Sequence, residues 1–229
     1  MRTPRREPNS TAMMCLWNDI DAEIEPEYEA WYQRDHLRDR VGTPGFRSCR
    51  RYVRVSESGR QYLTFNDLDD IHATRSAHYL DRQANATEWT RRIMPHFRRM
   101  VRVVADVTID RGDGTGGFIA SVAYGDVTES QRLAARDALA VAIERTMADA
   151  RVTRVRVLER NAASSDTPNP EAKLRPDPQL STDLSILVEG SYEAVVSGQL
   201  ARLQALTALS SLQPVLAASA HRLLFSSRN

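Results

Sequence analysis

The apolar positions of this chain fall into short blocks whose spacing switches between strand-like and helix-like. Met13, Met14, Cys15, Leu16 and Trp17 form a compact apolar run that predicts a buried strand over residues 11–19. Glu25, Pro26 and Glu27 then open a helix, with proline in the first turn and acids at its positive dipole end. This helix runs to about Arg40 and is stopped by Gly42, Pro44 and Gly45. Residues 46–55 and 62–68 read as strands joined across Glu57, Ser58 and Gly59. Asp69 or Asp70 caps a second helix reaching about Ala84. After a connection containing Trp89, residues 96–109 carry Val101, Val103 and Val104 in another strand. The order is β-α-β-β-α-β.

The stretch from Arg111 to Gly117 holds four glycines in seven residues. It lacks both Gly-Lys-Ser/Thr and the GxGxxG register of a phosphate loop, so it reads as a flexible linker. The order then repeats. A strand over 118–124 precedes a helix over 128–150 capped by Thr128 or Ser130, and a strand follows over 152–159. Residues 161–181 are polar and proline-rich, the pattern of a long mobile hairpin loop. A strand over 184–188, a helix from Tyr192 to about Leu209 and a strand over 215–225 complete the chain. The expected fold class is α+β: two tandem ferredoxin-like β-α-β-β-α-β repeats packed sheet to sheet as an α+β barrel. The expected units are a disordered arm over 1–10, an N-terminal repeat over 11–110 with the candidate active site, a linker over 111–117, and a degenerate scaffold repeat over 118–229.

Composition narrows the function classes. With 229 residues, 41% of them hydrophobic, the chain can bury a core without disulfides or a structural metal. The formal net charge of +1 argues against a nucleic-acid footprint. Of 31 basic residues Lys173 is the only lysine, which excludes Schiff-base chemistry and a P-loop lysine. Cys15 and Cys49 sit in strands as small buried hydrophobes, and nothing has zinc-ligand spacing, so no metal site is expected. No apolar run reaches 18 residues, so no membrane helix is expected, and residues 1–10 lack the apolar core of a secretory signal. A reducing, cytoplasmic setting follows.

The first helix carries the candidate chemistry. Tyr28, Tyr32 and His36 form one i, i+4 row with Trp31 and Asp35 beside it, and each polar tip needs a partner. His36 titrates near neutrality and is the candidate general acid or base, oriented by Asp35 or Asp39; the alternative is a cap on the helix C-terminus. Tyr32 would donate to or orient the substrate. Strand alternation puts Arg51 on one face with Cys49 and Val53, where it would steady developing negative charge or make a rim ion pair. His78 and His96 could complete an acid/base pair with His36. Trp17 lies at a pocket mouth or in the core, and Trp89 closes over the same region.

Three segments also carry a resemblance: Trp31-Tyr-Gln-Arg-Asp-His36, Val41-Gly-Thr-Pro-Gly-Phe46 and Arg50-Arg-Tyr52. They resemble the first repeat of dimeric α+β barrel proteins, most closely the ethyl tert-butyl ether degradation protein-like branch. There, a helix ending in an acid or Tyr and then His precedes a Pro-Gly-Phe turn into the second strand. The resemblance covers about residues 12–105; the second half matches in element order only. It implies a barrel that is often a homodimer and activities such as small monooxygenases, lactone isomerases, dehydratases and polyketide cyclases. Most of these need no metal or organic cofactor. Some barrel enzymes bind haem through an axial histidine, a place His36, His78 or His221 would take.

The expected function is therefore cofactor-independent acid/base catalysis (lyase, isomerase or cyclase) on a small oxygenated or aromatic molecule in a barrel pocket. The alternatives are a cofactor-free monooxygenase of a phenol and a non-catalytic small-molecule-binding or assembly module. Catalysis falls to His36, Tyr32 and Arg51, and substrate contacts to Trp17, Tyr28, Trp31, Asp35, His78, Trp89 and His96.

Overall fold

The computed structural model describes residues 11–228; the arm expected over 1–10 lies outside them. Eight strands, β1 (Ala12–Ile20), β2 (Phe46–Arg54), β3 (Tyr62–Leu68), β4 (Phe97–Gly112), β5 (Phe118–Tyr124), β6 (Val152–Arg160), β7 (Leu184–Gly190) and β8 (Pro214–Arg228), close into one barrel. Its order is β1-β3-β2-β8-β5-β7-β6-β4, and every pairing is antiparallel. The order within the first half, β2-β3-β1-β4, recurs in the second as β6-β7-β5-β8. The halves meet edge to edge at β2–β8 and β4–β6, so one chain closes the barrel by itself. The architecture is an α+β barrel.

The helices lie outside the barrel. They are α1 (Glu25–Trp31), α2 (Leu37–Val41), α3 (Ala77–Ala84), α4 (Glu88–Ile93), α5 (Glu129–Met147), α6 (Ala162–Ser165), α7 (Glu193–Gln204) and α8 (Thr207–Ser210). Between α1 and α2 the chain makes a five-residue π turn over Tyr32–His36, in which the Leu37 N–H donates to the Tyr32 carbonyl. The helix thus runs on past His36 to Val41, and His36 does not cap its C-terminus. The second helix starts later than expected: Ser76, not Asp69 or Asp70, caps α3 by accepting from the Tyr79 N–H. On α5 the expected Thr128 cap forms a full capping box with Gln131. No helix among the described residues is long and apolar enough to cross a membrane.

Two glycine positions show why the chain turns where it does. Gly45 has φ 88°, and a Cβ there would stand 2.8 Å from Ala73 Cβ, which explains the Pro-Gly-Phe entry into β2. In the segment expected as a flexible linker, a Cβ on Gly116 would lie 2.4 Å from the Gly190 backbone nitrogen. That segment is wedged against β7, so Gly116 serves close backbone approach.

Alternation along the strands separates an interior from an outer face. Met13, Cys15, Trp17, Leu63, Phe65, Val101 and Val103 fill the interior together with Ile119, Leu158 and Leu187. Among them lies a closed ring of four charges. Arg50 donates to Glu189 (2.9 Å) and Asp67 (2.8 Å), while Arg156 donates to the other oxygen of Asp67 (2.8 Å) and of Glu189. Both guanidiniums face the Phe65 ring, 4.3 and 5.0 Å from its centroid. Burial would raise the Asp67 carboxyl, but Arg156, Arg50 and the Ser48 hydroxyl outweigh it and hold the group well below the usual carboxylate range.

Arg156→Met removes one cation from this ring and leaves three buried charges that no longer balance. The expected loss is about 3–5 kcal/mol of unfolding free energy, read from urea titration. Because the Asp67 pKa is lowered by folding, its contribution is complete above about pH 4 and is lost as pH falls below that. An acid titration of wild-type and Arg156→Met stability reads this difference.

Candidate functional site

The outer face of the first half builds the site. Met14, Leu16 and Asn18 of β1, Cys49 of β2, Asn66 of β3 and Met100 and Arg102 of β4 point away from the barrel interior. Above them lie Tyr32 and His36 of the π turn, Arg40 of α2, and Tyr79 and Gln83 of α3. The cleft between sheet and helices spans about 520 Å³ of space, a figure that includes open solvent at its mouth.

Its roof comes from the other half of the chain. The segment over 161–181, expected as a long mobile loop, is instead a strap laid along β4. The Arg102 N–H donates to the Leu180 carbonyl (2.9 Å), the Leu180 N–H to the Met100 carbonyl (3.0 Å), and Ser165 Oγ to the Val104 carbonyl (2.8 Å). The strap docks there because residues 97–104 of β4 extend beyond its pairing with β6, which begins at Ala105, and so leave backbone groups to satisfy. Asn169, Glu171 and Arg175 of the strap reach the cleft. Glu171 takes both of its bonds from Arg40 Nη2, at 2.9 and 3.1 Å.

Half-buried His36 stands on the wall. Its imidazole is 4.3 Å from the Trp31 ring and 5.2 Å, edge-on, from Tyr32. Burial, and then the guanidiniums of Arg40 and Arg51, push its pKa well below 6.5, so it is neutral at physiological pH. The expected orienting acids are engaged elsewhere: Asp35 accepts from Thr87 Oγ1 (2.6 Å), and Asp39 pairs with Arg40 and Arg82 (2.9 Å each). Asp35 and Asp39 line a smaller cleft of about 290 Å³ that shares His36 and Glu171 with the first.

The charge of the main cleft does not balance. Arg40 is matched by Glu171 and Asp39. Arg102, 4% exposed, forms no ion pair among the described residues, and its Nη1 has no hydrogen-bond partner. Arg175 donates only to the Gln179 side chain (3.0 Å); burial, and the nearness of Arg102, bring its pKa down to about 10 although Glu171 opposes this. Asn66 Oδ1 and Gln83 Oε1 on the same walls are also buried without partners.

Of the residues expected from sequence, the cleft brings together Tyr32 and His36; Trp31 stacks behind the imidazole and Asp35 lies in the adjoining cleft. The others lie elsewhere. Arg51 shares the outer face, as alternation predicted, but is buried in an aromatic cage of Tyr28, Tyr32 and Tyr62 and paired with Glu29 (2.6 Å). Tyr28 is core, bonded to Asn18 (3.2 Å). Trp17 faces the barrel interior and donates to Ser121 Oγ (3.1 Å), because its neighbours on the cleft side are Leu16 and Asn18. His78 is exposed on α3. Trp89 donates to Glu27 (3.0 Å), and His96 pairs with Asp21, which also holds Arg98. Asp21, Glu23 and His96 lie close enough to share an ion, but Arg98 already supplies positive charge there. Reading the sequence missed Arg102, Arg175 and Glu171. Arg102 had one signal: a single arginine inside the apolar run Met100 to Ala105.

No family model and no curated protein matches the chain. Solved structures share the fold. An anthrone oxidase-like protein aligns with TM-score 0.61 and 11% identity over 95% of this chain and 92% of its own. A proposed monooxygenase of Fusobacterium nucleatum aligns with TM-score 0.55 and 10% identity over 96% and 95%. A haem-binding protein of Thermus thermophilus aligns with TM-score 0.56 and 9% identity over 95% and 92%.

Replacing Glu171 by Gln removes the strap's charged anchor on Arg40. Trypsin is expected to cleave after the exposed Lys173 several-fold faster than in wild type, as followed by mass spectrometry under native conditions.

Proposed function

We propose that the protein is a cofactor-independent acid/base enzyme, of the lyase, isomerase or cyclase type, acting on a small oxygenated or aromatic molecule in the sheet–helix cleft of its N-terminal half. One observation carries this reading: an imidazole kept neutral stands on the wall of a roofed cleft with excess positive charge. Neutral His36 accepts a proton from the substrate, and the anion formed is held by the guanidiniums of Arg102, whose Nη1 has no partner, and Arg175, which donates only to Gln179. The cations that make His36 a weak base make its conjugate acid a strong one, so the proton returns readily to another substrate atom. Such a base suits protons already acidic, as in phenols and enolisable ketones.

Two roles expected from sequence change in this reading. Tyr32 hydrogen-bonds Thr64 through its hydroxyl (3.1 Å) and is a wall that fixes the imidazole. Arg51, tied to Glu29, acts on His36 through its field alone. The repeated strand order supports reading the halves as tandem ferredoxin-like repeats, the second as scaffold and roof. A homodimer is not needed to close the barrel.

The names of structural relatives favour a second reading, in which the same substrate anion reacts with oxygen. Of the histidines named for haem, His78 and His221 line neither of the two clefts. His78 is exposed, and His221 is buried with Nε2 on the Arg60 carbonyl (3.0 Å).

Deuterium incorporation from D2O into a panel of phenols and enolisable ketones, followed by proton NMR, tests the reading. Wild type is expected to exchange a substrate C–H and His36→Gln to lose at least 100-fold of that rate with its melting temperature retained; equal rates overturn the assignment of His36. An oxygen electrode in the same reaction separates the two readings. Because the base acts when neutral and its pKa is lowered, kcat/KM is expected to stay flat through neutral pH and to fall only below pH 6.5.

A further inference from the structure

The cleft has more unsatisfied polar groups than proton transfer alone requires. Arg102 Nη1 is a buried donor without an acceptor, while Asn66 Oδ1 and Gln83 Oε1 are buried acceptors without donors. All three residues line one cavity. An unpaired buried polar group is costly and a buried unpaired charge more so, so three in one place mark the points a ligand fulfils. Between them the walls are apolar: Met14, Leu16, Met94, Phe97 and Met100.

We propose that the cleft binds a small aromatic carboxylic acid that also carries a hydroxyl group. Its carboxylate sits on the Arg102 guanidinium and its hydroxyl donates to the side chain of Asn66 or Gln83. The apolar walls take the ring, and Phe97 and Tyr79 offer aromatic surface to it. Arg175, carried in by the strap, supplies the second unbalanced charge. Two unpaired cations match a substrate that enters as a monoanion and becomes a dianion when His36 takes its proton, the step in the reading above, on which the second half of this match rests. A neutral ester of the same ring would leave Arg102 as it is in the free protein.

The test measures binding without turnover. Monohydroxylated benzoic and cinnamic acids, their methyl esters and inorganic phosphate are titrated by calorimetry and by thermal shift. The acids are expected to bind, and each ester to bind at least tenfold more weakly. Arg102→Met is expected to lose acid binding by tenfold or more and, because it removes an uncompensated buried charge, to melt above wild type when no ligand is present. Gln83→Met checks the hydroxyl contact: it weakens the hydroxylated acids and leaves benzoate unchanged. Esters that match the acids, a panel in which no acid binds, binding of phosphate alone, or acid binding that survives Arg102→Met each overturn the proposal. His36→Gln separates the two ideas. It retains acid binding if the ligand assignment holds, whether or not His36 is the base.

Discussion

The ring of Arg50, Asp67, Arg156 and Glu189 is the interaction on which the barrel depends. A closed eight-stranded barrel must fill its centre, and a chain rich in arginine fills part of it with guanidinium. Two cations and two anions alternate, each acid bridging both arginines, so desolvation is offset by four contacts rather than one. Two members come from each half of the chain. The ring therefore ties β2 and β3 to β6 and β7 across the interior, where hydrophobic contacts alone would allow either half to slip in register. Phe65, between both guanidiniums, fixes the spacing.

With the interior filled, a ligand has to bind outside it. The outer face of the first sheet is not fully covered by its helices, and the cleft lies there. The contrast between arginines follows from this geometry. Arg50 and Arg51 are adjacent in sequence, yet one enters a neutral ring and the other an aromatic cage, because a strand sends neighbours to opposite faces. Arg102 faces a cleft whose acid, Glu171, is already bonded to Arg40. Identical side chains thus end paired or unpaired according to whether a free carboxylate lies within reach.

The strand and helix order was legible from the chain because apolar period and turn residues agree across nearly all of it. Thr128 with Gln131 and the Pro44-Gly45-Phe46 turn are local signals with local consequences. His36 and Tyr32 were legible for the same reason: one helical row sets both on one face. Arg102, Arg175 and Glu171 were not. Their meaning depends on a strap crossing from one half to the other, and no periodicity records which element a proline-rich segment lies against. The π turn at Tyr32–His36 was equally hidden, since it changes backbone bonding without changing the residue pattern. Trp17 was left between pocket mouth and core, and the pleat decides for the core by sending Leu16 and Asn18 to the cleft side.

The strap separates two kinds of constraint within one gene. Barrel strands can change only in concert with their neighbours, whereas residues 169–175 lie on a surface turn whose side chains meet the cleft but no strand pairing. Insertions or exchanges in that turn would reshape the roof of the cleft while the sheet beneath it stays untouched. The half that carries the strap thereby becomes the part of the chain in which the lining of the cleft can drift without any change in strand order.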